Sequence, residues 1–169
     1  MSNLNNISLT EIVNLIKSKK VSSSEVTSHF IKNIENSKKL NSFITTCFEK
    51  CLMDAKNFDE KNNSNGLLAG VPLAVKDLFC TKNIKTTAGS KILENFIPTY
   101  ESSVTKNLWS EGANLLGKLN CDEFAMGSSN ETSYFGNTIN PVGKNLVPGG
   151  SSGGSASALA ANLTPATIG

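Results

Sequence analysis

There is no arginine in this chain, and all sixteen basic residues are lysines. The planar, bidentate fork usually chosen for phosphate recognition is therefore missing. The net charge of +2 is too small to draw nucleic acid or a membrane surface by bulk attraction. If the protein works on RNA, another part of it or another subunit is expected to grip it. Long apolar runs are missing too. No window approaches the ~18 apolar residues of a membrane span. Met1 to Thr10 lacks both the apolar centre of a signal peptide and the arginines of a transit peptide. These absences point to a cytoplasmic protein without a membrane partner. The four cysteines, Cys47, Cys51, Cys80 and Cys121, form no CxxC pair, so a zinc site is not expected and reduced, mostly buried thiols are. The one histidine, His29, lies beside an apolar helical stripe and reads as a packing or surface residue.

The N-terminal part is helical in pattern. Ser8-Leu9-Thr10-Glu11 has capping-box spacing, and Leu9, Ile12, Val13 and Ile16 form one stripe, predicting a helix to about Lys19. Ser22, Ser23 and Ser24 offer N-caps for a second helix carrying Val26, Phe30, Ile31 and Ile34. Phe43 to Phe48 reads as a strand, Leu52 to Phe58 as a helix, and Lys61 to Gly66 as a plain loop. The texture then changes. Leu67 to Phe79 reads as a buried strand, Val104 to Gly112 as a helix and Ala113 to Leu119 as a second strand, which argues for an α/β core with parallel pairs. Two regions are expected: residues 1–65 as a helical layer with one short strand, and residues 66–169 as an α/β core. The chain closes on Ala166-Thr167-Ile168-Gly169, an apolar run with no polar tail, the pattern of a truncated chain.

Four glycines and four serines crowd into the eleven positions from Val147 to Ser157. Glycines at this density let other groups approach the backbone closely, at an entropic cost that ordinary loops avoid. Ala156, Leu159, Ala160 and Leu163 follow at helical spacing, so the loop feeds a helix N-terminus instead of acting as a Gly/Ser linker. Three chemical readings compete. Gly150-Ser151-Ser152-Gly153-Gly154 fits G-x-S-x-G with Ser152 as nucleophile, but that elbow needs an acid and a histidine downstream and only fifteen residues remain. A phosphate-binding P-loop needs Gly-Lys-Ser/Thr, and here Ser155 follows the glycine pair without a lysine. The third reading couples Ser151 to a lysine acting as base in place of histidine.

The candidate lysine is Lys76. Along Val71 to Asp77, alternation places Val71, Leu73 and Val75 on one strand face and Pro72, Ala74 and Lys76 on the other. If that second face is also covered, the ammonium leaves water, its pKa falls, and a neutral base results. Asp77 aims at the opposite face and need not pair with it. The competing reading is a strand-end lysine reaching solvent beside a solvated aspartate.

Taken together, Leu68-Ala-Gly-Val-Pro-Leu-Ala-Val-Lys-Asp77, Asn120-Cys-Asp-Glu-Phe-Ala-Met-Gly-Ser-Ser129 with Asn130 to Pro141, and Val147-Pro-Gly-Gly-Ser-Ser-Gly-Gly-Ser-Ala156 resemble the amidase signature family. Within it they resemble the branch that supplies ammonia for tRNA-dependent amidation. The resemblance covers essentially the whole chain. It implies an α/β amidase-signature fold, a mixed sheet core flanked by helices, of which this chain is the N-terminal part. It implies a Ser-Ser-Lys triad with Lys76 as base and Ser151 as relay serine behind a cis peptide bond. The nucleophilic serine and its oxyanion hole belong to a later segment, and Met126, Gly127 and Ser128 either line the substrate cleft or form a packed turn. The substrate implied is glutamine, hydrolysed to ammonia. Companion B and C subunits of an amidotransferase are implied, with tRNA, ATP and magnesium handled by the partner. The alternatives are another amide hydrolase of the family and a catalytically dead fragment serving assembly or binding.

Overall fold

A computed structural model describes residues 4–61, 66–143 and 145–169. Among the described residues, five α-helices and four strands follow in the order α1 (Leu9–Lys17), α2 (Ser23–Asn36), β1 (Phe43–Thr46), α3 (Phe48–Lys61), β2 (Pro72–Lys76), α4 (Ser103–Ser110), β3 (Asn114–Leu119), α5 (Gly153–Ala160) and β4 (Thr167–Ile168). The strands form one mixed sheet in the order β1-β3-β2-β4. β2 runs parallel to both β3 and β4, and β1 runs antiparallel to β3. The α/β class and the parallel pairing expected from the sequence are thus present, and a strand from the helical N-terminal stretch is hydrogen-bonded into the same sheet.

The first two helices begin where their caps dictate. Ser8 and Glu11, and again Ser22 and Glu25, form reciprocal capping boxes that satisfy orphan amides. Asp59 of α3 reinforces the second start by accepting from the backbone N–H groups of Ser23 and Ser24 at 2.8 and 3.0 Å. Ile12, Val26, Phe30 and Ile34 then bury one stripe of α1 and α2 against Val71, Leu73 and Leu116 in a single apolar core. Burying each such side chain stabilises the fold by about 1.5–3 kcal/mol.

Several boundaries differ from the sequence expectation. α1 stops at Lys17, because Lys19 takes a left-handed φ of 57°. The strand expected over Leu67 to Phe79 is confined to Pro72–Lys76. Ala69 and Gly70 adopt positive φ of 40° and 76° before it, and the Phe79 N–H turns back to the Lys76 carbonyl after it. α5 ends at Ala160, so Leu163 lies beyond the helix, although it is buried. α3 is longer than expected, starting at Phe48. Of the loop expected at Lys61 to Gly66, residues 62–65 lie outside the described residues.

All five residues of β2 and all six of β3 are buried, the signature of strands covered on both faces. Two lysines consequently sit inside the protein. Lys118 of β3 is fully buried and donates at 2.8 Å to both the Phe79 carbonyl and Thr86 Oγ1, while its ammonium stands 3.3 Å from Asp77 Oδ1. Asp77 is itself fully buried, and its Oδ2 accepts from the Thr87 N–H at 2.9 Å and from the Thr87 hydroxyl. Burial pushes the Asp77 carboxyl up and the Lys118 ammonium down, and each partner's charge opposes that push on the other.

Removing one partner therefore leaves an uncompensated interior charge. Lys118→Met is expected to lower unfolding free energy by about 3–5 kcal/mol, measured by urea denaturation. A carboxyl whose folded pKa is raised further contributes less stability as pH rises, so the deficit of Lys118→Met should shrink on acidification. The double variant Asp77→Asn/Lys118→Met should lose less than Lys118→Met alone. A pH-independent deficit would show that the pair is not ionised.

Candidate active site

Lys76 ends β2, and its register partner Leu119 ends β3. The chain leaving β3 places Cys121 and Asp122 at the same end of the sheet, the carboxyl ends of parallel strands, where α/β folds gather functional groups. The Gly-Ser loop closes over this end. The Lys76 side chain crosses 75 positions of sequence to reach it: Nζ lies 2.6 Å from Ser151 Oγ and 2.8 Å from Ser152 Oγ. Lys76 is only 4% exposed. The solvent-exposed strand-end lysine considered above is therefore ruled out. Asp77, sent to the other face by strand alternation, is occupied with Lys118 and Thr87.

Burial pushes the Lys76 ammonium below the usual lysine range, against the opposing pull of Cys121 and Asp122. Burial also pushes the Cys121 thiol up to about 12, so it is neutral at physiological pH. Asp122 is thus the charge that pulls against the burial of Lys76. A neutral amine has two N–H donors and one lone pair. With Ser152 accepting one N–H, the lone pair is free to receive the Ser151 hydroxyl, an arrangement suited to moving a proton.

Local backbone chemistry produces this geometry. Ser152 is the N-cap of α5, yet its hydroxyl makes no capping bond, because it is turned toward Lys76. The Gly150–Ser151 peptide is cis, as the resemblance implies. The Asp122 N–H donates to the Ser151 carbonyl at 3.1 Å, and the Gly154 N–H donates to the Asn120 carbonyl at 3.0 Å. The glycines are needed for approach. A Cβ on Gly150 would lie 2.2 Å from Asp122 Oδ2 and 2.6 Å from the Ser129 backbone nitrogen, and one on Gly154 would lie 2.5 Å from both the nitrogen and the oxygen of Asn120.

Met126, Gly127 and Ser128 are exposed and form the rim facing this loop. Gly127 packs on the Asp122 carboxylate, and the Ser128 carbonyl carbon lies against Gly150. His29 stays apart on α2, its ring nitrogen 3.1 Å from Asn5 Oδ1 and 3.3 Å from Asn33 Nδ2. Cys47, Cys51 and Cys121 are buried and all four cysteines are free. Among the described residues no group of three His, Cys, Asp or Glu side chains could hold a metal ion, and no helix is long and apolar enough to cross a membrane. Sequence reasoning missed two residues: Ser152 as a second partner of Lys76, and Asp122 as the anchor of Ser151. Asp122 was within reach as the third residue beyond a parallel strand beside the one bearing Lys76.

The amidase family pattern matches residues 25–169. The chain belongs to the amidase family. Over its whole length this amidase chain is 67% identical to the A subunit of the glutamyl-tRNA(Gln) amidotransferase of Pelagibacter ubique (strain HTCC1062), of which it spans 35%. Among solved structures it superposes on the A subunit of the glutamyl-tRNA(Gln) amidotransferase of Thermotoga maritima with a TM-score of 0.81 at 32% identity, covering 100% of this chain and 35% of that one. It matches a bacterial aryl acylamidase of the amidase signature family with a TM-score of 0.88 at 30% identity, covering 95% of this chain and 34% of that one. The chain thus spans about a third of the length of these relatives.

Because Gly154 abuts only backbone, that of Asn120 and Ser42, even one added methyl there is expected to be costly. Gly154→Ala should reduce stability by about 1–3 kcal/mol, read from thermal or urea unfolding. Wild-type stability in Gly154→Ala would mean that α5 does not seat on Asn120 this closely.

Proposed function

We propose that this chain carries the base and relay of a Ser-Ser-Lys amidase site that hydrolyses glutamine to release ammonia. The observation that carries the reading is the buried Lys76 amine held 2.6 Å from the Ser151 hydroxyl. In this reading residues 1–65 are a helical layer with one short strand, β1, which joins the sheet, and residues 66–169 are the first part of the amidase core. The nucleophilic serine comes from a further segment. Gly169 stands against Ser152 and Ser155, so close that a Cβ on it would lie 2.9 Å from Ser152 Oγ.

Neutral Lys76 takes the Ser151 proton as Ser151 takes one from the nucleophile, whose oxygen attacks the carbon of the glutamine side-chain amide. The proton returns along the same path to the leaving nitrogen, releasing ammonia. Water then attacks the glutamyl ester, giving up a proton to the relay, which passes it to the serine oxygen as the ester bond breaks, so glutamate leaves and the serine hydroxyl is restored. Met126, Gly127 and Ser128 border the substrate at the rim. The 67% identity to the A subunit of an amidotransferase supports a heterotrimeric ligase in the cytoplasm. There, ammonia passes to the B subunit for conversion of Glu-tRNA(Gln) to Gln-tRNA(Gln), and the C subunit completes the assembly. ATP and magnesium serve the partner's chemistry, and no residue of this chain is assigned to them.

In a full-length protein assembled with its partners, Lys76→Ala and Ser151→Ala are each expected to lower glutamine hydrolysis by about 100- to 10,000-fold, measured as ammonia release. Because the base must be neutral, the rate should rise with pH through a limb lying below the usual lysine range. Normal ammonia release by either variant removes the relay. Hydrolysis of simple aryl or alkyl amides in preference to glutamine would place the chain with the other amide hydrolases of its family.

A further inference from the structure

Asp122 is fully buried, yet it has no ion-pair partner: among the described residues the ion pairs are Lys50–Asp54 and Lys118–Asp77. Its charge is instead met by fixed donors. Oδ2 accepts from the Asn130 N–H at 3.0 Å, and Oδ1 accepts from the Thr132 N–H at 3.2 Å and the Thr132 hydroxyl at 2.8 Å. Burial alone would raise its pKa, but these bonds, with the Glu131 N–H, hold the carboxyl below the usual range, so it stays ionised. The same residue's N–H holds the Ser151 carbonyl, and its carboxylate fills the space left by Gly127 and Gly150. One side chain and its own amide thus join the relay serine to the rim segment.

We propose that Asp122 is the positioning residue of the proton relay: it locks Ser151 to the 127–132 segment and supplies the fixed negative charge that stabilises the ammonium formed when Lys76 takes a proton. This rests on the relay reading above. The relay moves one proton from the nucleophile through Ser151 to Lys76 and creates a positive charge in a buried place, where an uncompensated ion is costly. The groups that act on the Lys76 amine are Ser151 and Ser152 of the loop, in hydrogen-bond contact, and Cys121 and Asp122 beyond β3, through charge. Asp77, its neighbour on β2, is engaged with Lys118 and Thr87. The hydroxyls and the neutral thiol carry no charge, so the stabilising anion is Asp122. The arrangement is a compromise: burial disfavours the charged form of Lys76, and Asp122 keeps that protonated form accessible.

The test uses the full-length protein with its partners and glutamine as substrate. Asp122→Asn should move the rising limb of kcat/KM against pH to lower pH by about one unit or more, the size expected for losing one charge within about 10 Å at an effective dielectric near 20, with at least a tenfold lower kcat. Asp122→Glu keeps the charge and displaces it, so the limb should stay in place while kcat falls tenfold or more; this variant decides the positioning half if Asp122→Asn does not fold. Thr132→Val, which removes one donor and keeps the carboxylate, should leave the limb unmoved. An unmoved limb in Asp122→Asn, a shift in Thr132→Val as large as in Asp122→Asn, or wild-type kcat in folded Asp122→Glu overturns the proposal. Full activity of Lys76→Ala or Ser151→Ala in the same assay would instead overturn the relay reading beneath it.

Discussion

Removal of the Lys76 amine from water is the constraint around which the rest of this structure is arranged. A lysine at the end of a strand ordinarily reaches solvent, because its four-carbon stem lets the charge stay hydrated while the strand is buried. Here the Gly-Ser loop closes over the strand end and offers two hydroxyls instead. Hydroxyls can accept from an ammonium or donate to an amine, so they accommodate either protonation state without holding the lysine in the charged one. A carboxylate in their place would hold it charged and leave nothing to act as base.

The opposite face of the sheet shows how the fold allows this. Lys118 and Asp77 form a buried pair there, with their remaining polar atoms tied to Thr86, Thr87 and the Phe79 carbonyl. Strand alternation sends Asp77 away from Lys76 by one residue's pleat. The two lysines of neighbouring parallel strands therefore meet different surroundings: one is buried among hydroxyls that leave its lowered pKa in place, the other is compensated by a carboxylate. The loop beyond β2 is fastened by that pair, which fixes where Lys76 leaves the sheet.

Membership in the amidase family fits a site assembled from three distant stretches that each bring little alone. The lysine comes from a strand, the serines from a helix N-terminus, and the anchoring aspartate from the segment after the neighbouring strand. Their convergence at the carboxyl ends of parallel strands leaves an open rim, formed by Met126 to Ser128, facing the loop.

Local chemistry written in the sequence determined the helix starts, since Ser8 with Glu11 and Ser22 with Glu25 satisfy their own orphan amides and need no distant partner. It also determined the face alternation of β2 and the density of glycine and serine that marks the loop, and the three long motifs together pointed to the family and to Lys76 and Ser151. Strand lengths were less legible, because positive φ at Ala69 and Gly70 and the turn at Phe79 are imposed by packing and hydrogen bonds from elsewhere in the chain. The protonation tendency of Lys76 was open from sequence, since the same residue is a hydrated cation or a buried base depending on what covers it. Only the tertiary structure decided that, by seating the loop on the sheet end. It also decided the contacts of Ser152, Asp122 and Lys118, whose partners are remote in the chain or set by a loop's path.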